Sequence, residues 1–95
     1  MIQYVELVPT KEAPQRGCTV EVELPIMAKY CKVLVKNNSH IRLYYETPDV
    51  TSTKETKRFF LAPTGVECSE IASANYLDSV ELYGDTVVFH IFQLK

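Results

Sequence analysis

The chain has 95 residues, a length that forms one compact domain and leaves no room for a second. Apolar residues make up 46% and charged residues 23%, which excludes a disordered chain and a disulfide-stapled miniprotein. Ten Lys and Arg against 12 Asp and Glu give a formal charge of -2, which excludes binding to bulk nucleic acid through overall positive charge.

The start of the chain predicts neither a secretory signal nor a membrane anchor. It has no basic leader, and Glu6 interrupts its only apolar stretch. The cysteines, Cys18, Cys31 and Cys68, are odd in number and widely spaced, so they predict neither a disulfide framework nor a zinc site. We therefore expect a soluble protein of a reducing cytoplasm.

Residues 19–24 show the period of two that is typical of a half-buried strand. Val20, Val22 and Leu24 alternate with polar residues, and Pro25 ends the predicted pairing.

Residues 30–36 and 40–46 predict a β-hairpin whose register follows from its faces. Residues directly opposite each other share a face, so the two apolar sets match across the three-residue loop 37–39. Asn tolerates the left-handed conformation that such loops need. The predicted core pairs are Val35 with Ile41, Val33 with Leu43 and Cys31 with Tyr45. The opposite face pairs Lys36 with His40, Leu34 with Arg42 and Lys32 with Tyr44.

Residues 47–55 predict an exposed loop, and residues 56–61 predict the next strand. In that strand Phe59 and Leu61 share one face, and Arg58 and Phe60 share the other. Residues 66–75 permit one helical turn or an ordered loop.

Residues 76–82 and 86–94 predict a second hairpin with an open register, because a two-residue Gly84-Asp85 turn and a three-residue loop both fit. The three-residue loop would place Asp78 opposite His90. The last strand is apolar on both faces, which indicates a central strand or one covered by another subunit. We take this as a prediction of a homo-oligomer.

About six strands without a strong helix predict an all-β fold, a single small antiparallel sandwich or barrel-like domain over residues 1–95. The chain carries no Gly-rich phosphate loop and no metal-binding spacing around His40 or His90. Cys31 lies on the predicted core face, and no base is placed near Cys68. We therefore expect no enzyme activity, no catalytic residue, no metal and no cofactor.

Cations and aromatic side chains share the outward face of the first predicted hairpin. A face of this kind suits a phosphorylated or nucleotide-like ligand, or an acidic protein surface. The next strand would add further cations and Phe60 to it. The predicted ligand-binding residues are His40, Arg42, Tyr44, Lys57, Arg58 and Phe60, with Lys32 and Lys36 beside them.

A series of short segments in the chain forms a recognisable pattern: 23–25, 28–29, 31–35, 37–38, 41–45, 57–60, 63–65, 75–80 and 87–92. Together they resemble a family of small uncharacterised tailed-phage proteins. That family shares a P-x-G-A-K-I-L start, an R-x-F-x-x-x-G-T-G middle and a V-W-H-V-F ending, and the similarity covers roughly residues 20 to 94. The ending agrees best, with His90 and Phe92 in matching places, whereas Met27 stands for a Gly and Phe89 for the Trp.

The resemblance implies a phage origin. Together with the residues described above, it leads us to expect a phage-encoded, non-enzymatic binding protein of the host cytoplasm. Small accessory phage proteins often act against host defence, so we expect this protein to counteract a bacterial defence system. In one mode it sequesters a nucleotide-type signalling molecule, with Arg42, Lys57 or Arg58 holding phosphates and Tyr44 or Phe60 stacking on the base. In the alternative mode it blocks a host protein through the basic and aromatic face. A small phosphodiesterase-like enzyme that depends on His40 or His90 is a third alternative.

Overall fold

The computed structural model describes residues 1–48, 53–83 and 87–95. Within these ranges the chain forms seven strands, one short α-helix and one 3-10 helix. The strands are β1 Ile2–Leu7, β2 Cys18–Pro25, β3 Lys29–Lys36, β4 His40–Glu46, β5 Lys54–Pro63, β6 Asn75–Leu82 and β7 Val87–Gln93. The helix α1 spans Ala13–Arg16, and the 3-10 helix spans Ser69–Ser73.

The strands form two antiparallel sheets, which confirms the predicted all-β sandwich. The three-stranded sheet has the order β1-β4-β3, and the four-stranded sheet has the order β2-β5-β7-β6. The structure has one strand more than the six expected from the sequence. This additional strand, β1, pairs with β4 from Ile2 opposite Glu46 to Leu7 opposite Ile41.

The core lies between the two sheets and is filled by alternate residues of each strand. Alternation works because successive side chains of a strand point to opposite faces. The buried side chains of the three-stranded sheet include Leu7, Val33, Ile41 and Leu43, and those of the four-stranded sheet include Leu24, Phe59, Leu61, Val80, Leu82, Phe89 and Ile91.

The first hairpin has the predicted register except at Cys31. The pairs run from Lys36 opposite His40 to Lys32 opposite Tyr44, and Asn37 and Asn38 adopt the expected left-handed conformation. The register then shifts, so that Tyr30 lies opposite Tyr45. Cys31 is the extra residue of this β-bulge and is exposed, so its predicted place on the core face is wrong.

The second hairpin has a register that corresponds to a loop of even length. Leu82 lies opposite Val87, and Ser79 lies opposite His90. The alternative pairing of Asp78 with His90 is therefore wrong, because it needs a loop of odd length. The turn residues 84–86 lie outside the described residues.

Two connecting segments complete the fold. Of the two alternatives for residues 66–75, a helical turn or an ordered loop, the structure has the helical turn, as the 3-10 helix Ser69–Ser73. Of the predicted exposed loop 47–55, residues 49–52 lie outside the described residues, whereas Lys54 begins β5 and Thr47 is fully buried. The backbone of Thr47 pairs with Met1: the Thr47 N–H donates to the Met1 carbonyl at 3.0 Å, and the Met1 ammonium donates to the Thr47 carbonyl at 2.8 Å.

The sequence predicts that the last strand is either central in its sheet or covered by another subunit. Strand β7 lies between β5 and β6 and is therefore central. No helix in residues 1–48, 53–83 and 87–95 is long and apolar enough to cross a membrane.

Candidate functional site

The outer face of the three-stranded sheet carries the first part of the predicted site. Ile41 and Leu43 of β4 point into the core, so the residues that alternate with them point outward. Their cross-strand partners on β1 and β3 share that outward face. We call this surface the tyrosine–arginine face; it comprises Tyr4 and Glu6 on β1, Lys32, Leu34 and Lys36 on β3, and His40, Arg42 and Tyr44 on β4.

Arg42 stands at the centre of the tyrosine–arginine face. Its guanidinium carbon lies 4.4 Å from the centre of the Tyr4 ring, a cation–π contact. The Tyr4 and Tyr44 rings lie 5.5 Å apart at 44°. Hydrogen bonding to the Tyr44 side chain raises the pKa of Arg42, with smaller contributions from Tyr4 and Glu6, so the guanidinium stays charged. Its Nε atom is buried and has no hydrogen-bond partner among the described residues.

A second pair lies at the edge of this face. The Nδ1 atom of His40 lies 3.2 Å from Oε2 of Glu6, and both side chains are exposed. Within the described ranges, Lys32, Lys36 and Arg42 make no ion pair with a carboxylate. The face is therefore cationic even though the whole chain is slightly acidic.

The structure separates the other predicted residues from this face, because β5 belongs to the four-stranded sheet. Arg58 lies on the outer side of that sheet opposite Glu21, so Arg42 and Arg58 face opposite sides of the sandwich. The Nζ atom of Lys57 points to the other side of β5 and lies 2.8 Å from Oε1 of Glu55.

Phe60 is only 2% exposed, so its predicted role as an exposed stacking surface is wrong. Gly17 covers it: a Cβ built at Gly17 would lie 2.7 Å from the Phe60 ring, which leaves no room for a nucleotide base.

Lys57 and Arg58 instead meet at a depression of about 370 Å³ at one end of the four-stranded sheet. We call it the terminal depression. Its other lining residues are Thr56, Asn75, Gln93, Leu94 and Lys95. The six predicted residues therefore form no single site: three lie on the tyrosine–arginine face, two line the terminal depression and one is buried.

His90 belongs to a network of side-chain hydrogen bonds that the sequence does not predict, because the sequence leaves the register of the second hairpin open. Its Nδ1 atom lies 2.7 Å from the Ser79 hydroxyl, and its Nε2 atom lies 2.7 Å from the Thr64 hydroxyl. The Ser79 hydroxyl also lies 2.7 Å from the Tyr76 hydroxyl. The turn length is the signal that would have identified Ser79 as the residue opposite His90.

Among the described residues, no carboxylate is hydrogen-bonded to His90 in the way that orients a catalytic imidazole. Asp78 accepts hydrogen bonds from the Ser79 N–H at 2.8 Å and from the Tyr30 hydroxyl at 3.2 Å. Of the two cysteines considered as nucleophiles, Cys31 is exposed on its bulge. The pKa of Cys68 is raised by burial and by Glu70, which favours the unreactive thiol. No group of His, Cys, Asp and Glu in residues 1–48, 53–83 and 87–95 has the arrangement of a metal site.

Comparison with known proteins adds a family. No curated protein and no solved structure matches the chain. A family model described as a domain of unknown function (DUF7352) matches residues 11–95, from just before α1 to the last residue, and so includes every strand except β1. The chain therefore belongs to the DUF7352 family.

Proposed function

We propose that this protein is a non-enzymatic binding protein whose tyrosine–arginine face docks onto an acidic surface of a partner protein. The observation that carries the proposal is the stacked Arg42, which lies over Tyr4 at 4.4 Å and carries its charge without a carboxylate partner in the described part of the chain. Tyr and Arg are the side chains that most often anchor protein interfaces.

A cavity beside this face supports a protein partner. It has a volume of about 300 Å³, and its lining includes Glu6, Ser39 and His40 together with the exposed side chains of Val8 and Tyr83. Interface anchors commonly insert into such pockets next to a charged surface. A partner segment would thus place an apolar side chain in the cavity and carboxylates near Arg42, Lys32 and Lys36.

The biological setting is part of the same proposal. The resemblance to tailed-phage proteins supports a phage origin and action in the host cytoplasm, where the partner would be a component of a bacterial defence system.

The docking face is tested by comparing two charge reversals on opposite sides of the sandwich. Immobilised wild-type protein, Arg42→Glu and Arg58→Glu are exposed to bacterial lysate, and the bound proteins are quantified by mass spectrometry. We expect one or more proteins to be retained by the wild type and by Arg58→Glu, and to fall about tenfold or more with Arg42→Glu, as for a lost interface anchor. Equal retention by both variants contradicts the proposed face.

A second candidate function is the sequestration of a nucleotide-type signalling molecule, and the terminal depression favours it because it brings Lys57 and Arg58 together. A ligand that binds only the folded protein raises its melting temperature. We expect a nucleotide to raise the melting temperature of wild type and of Arg42→Ala but not of Arg58→Ala. The absence of a shift with every cyclic and linear nucleotide contradicts this candidate.

A further inference from the structure

We propose that the terminal depression binds the phosphate group of a small anion and does not recognise the rest of the molecule. This inference rests on the second candidate function and narrows its ligand. It is independent of docking through the tyrosine–arginine face, which lies on the other sheet.

The strand pairing brings the lining residues together. Gln93 at the end of β7 lies opposite Asn75 of β6 on one side and Phe59 of β5 on the other. The N–H of Leu94 donates to the carbonyl of Arg58 at 2.9 Å, which fixes the residues after β7 against β5. Backbone hydrogen bonds thus position donors from three strands around one depression.

These donors are not used by the fold. Among the described residues, the side chains of Thr56, Arg58, Asn75, Gln93 and Lys95 make no hydrogen bond and no ion pair, and Glu21 opposite Arg58 does not pair with it. Only Lys57 is engaged, by Glu55 at 2.8 Å. Guanidinium, ammonium, amide and hydroxyl groups all donate hydrogen bonds, and a phosphate group offers several acceptor oxygens at once.

The lining also limits what else is recognised. It contains no aromatic side chain on which a base could stack. The nearest aromatic pair, Tyr76 and Phe92, lies in edge-to-face contact at 5.5 Å and is not part of the lining. The phosphate group would therefore bind while a nucleoside stays in solvent.

The test is calorimetric titration at low ionic strength, where charge pairing is least screened. The probes are pyrophosphate, ADP, GDP and ribose 5-phosphate, with wild type, Arg58→Gln and Lys95→Gln. Lys36→Gln on the tyrosine–arginine face is the matched control for charge. We expect pyrophosphate, ADP and GDP to bind within about threefold of each other. Each depression variant should weaken binding about tenfold, the effect of one lost charge-assisted hydrogen bond, and the control should bind as wild type.

Each other outcome overturns the inference in a distinct way. A preference of more than about tenfold for one base at this site overturns phosphate-only recognition but leaves nucleotide sequestration standing. If Lys36→Gln loses as much affinity as the depression variants, binding depends on overall charge, and the proposed site is wrong. The absence of binding by every probe overturns both the inference and the second candidate, whereas protein docking through Arg42 is judged only by its own retention experiment.

Discussion

Tyr30 links the two sheets at neighbouring edges, β3 and β6. Its hydroxyl lies 3.3 Å from the carbonyl oxygen of Leu77 and 3.2 Å from Oδ2 of Asp78, and it donates to these acceptors. Burial, followed by the Asp78 carboxylate, raises the pKa of Tyr30 to about 12. Because the native state favours the neutral phenol, this stabilisation is complete below the ordinary tyrosine pKa of about 10 and is lost as the pH rises towards 12.

Tyr30→Phe should therefore flatten the alkaline loss of stability. At neutral pH we expect the variant to lose about 1 kcal/mol, the usual contribution of one hydrogen bond. The difference from wild type should shrink between about pH 10 and pH 12, where the wild-type hydroxyl ionises. Urea unfolding across this range measures it, with Tyr4→Phe as control because that hydroxyl makes no hydrogen bond within the described ranges. A constant difference at all pH values contradicts the proposed role.

At the scale of elements, Gly17 joins α1 to β2 in a conformation that other residues rarely adopt. Its φ is 78°, and a Cβ there would lie 2.7 Å from the Phe60 ring and 2.9 Å from the Leu61 carbonyl oxygen. Lack of a side chain at Gly17 thus lets the α1 turn pack directly on β5.

Gly17→Ala should destabilise the fold by about 2–4 kcal/mol, because backbone strain and a steric clash add together. Gly65→Ala is the matched control: its φ is 84°, but a Cβ there meets no atom within 4 Å. We expect the control to lose about 1–2 kcal/mol from backbone strain alone. Chemical denaturation of the three proteins distinguishes these values, and equal losses would contradict close packing at Gly17.

The sequence predicts where the strands lie better than it predicts which strands pair with each other. Alternating residues in 30–36 and 40–46 restrict the first hairpin to registers in which paired residue numbers sum to an even number, because only these bury both apolar sets. The three-residue loop 37–39 then selects one of these registers. Alternation within the hairpin does not reveal the bulge at Cys31, because the bulge accompanies the contact of Tyr30 with Asp78, 48 residues away. The order of the strands in the chain groups Lys57 and Arg58 with Arg42, because β5 follows β4. Alternation within a strand does not specify which strand pairs with it, and β5 pairs with β2 and β7.

For the whole molecule, the central place of β7 changes the basis of the predicted homo-oligomer. Pairing with β5 and β6 accounts for the backbone of β7, and the half-buried Phe92 is in edge contact with Tyr76. Tyr76 is 57% exposed and is the aromatic side chain of this sheet that a second copy could cover.

The homo-oligomer stays a prediction that light scattering tests. At micromolar concentration we expect a mass of at least two chains of 10.8 kDa each. Tyr76→Ser should return it towards the single-chain value, because the loss of a buried aromatic anchor weakens association most. Glu81→Ser, also exposed on β6, is a control away from the aromatic pair. A single-chain mass for the wild type contradicts the prediction.

Strand β1 divides two tasks between its two faces. Leu7 is buried and Val5 packs against the core, whereas Tyr4 and Glu6 contribute to the tyrosine–arginine face. This strand is an edge strand, and it precedes the residues that match the family. If the tyrosine–arginine face docks a partner as proposed, the residues that contact the partner on this strand are distinct from those that pack in the core. Exchanging the outward residues at positions 4 and 6 would then change the partner contacts, while the inward pair keeps its place in the core.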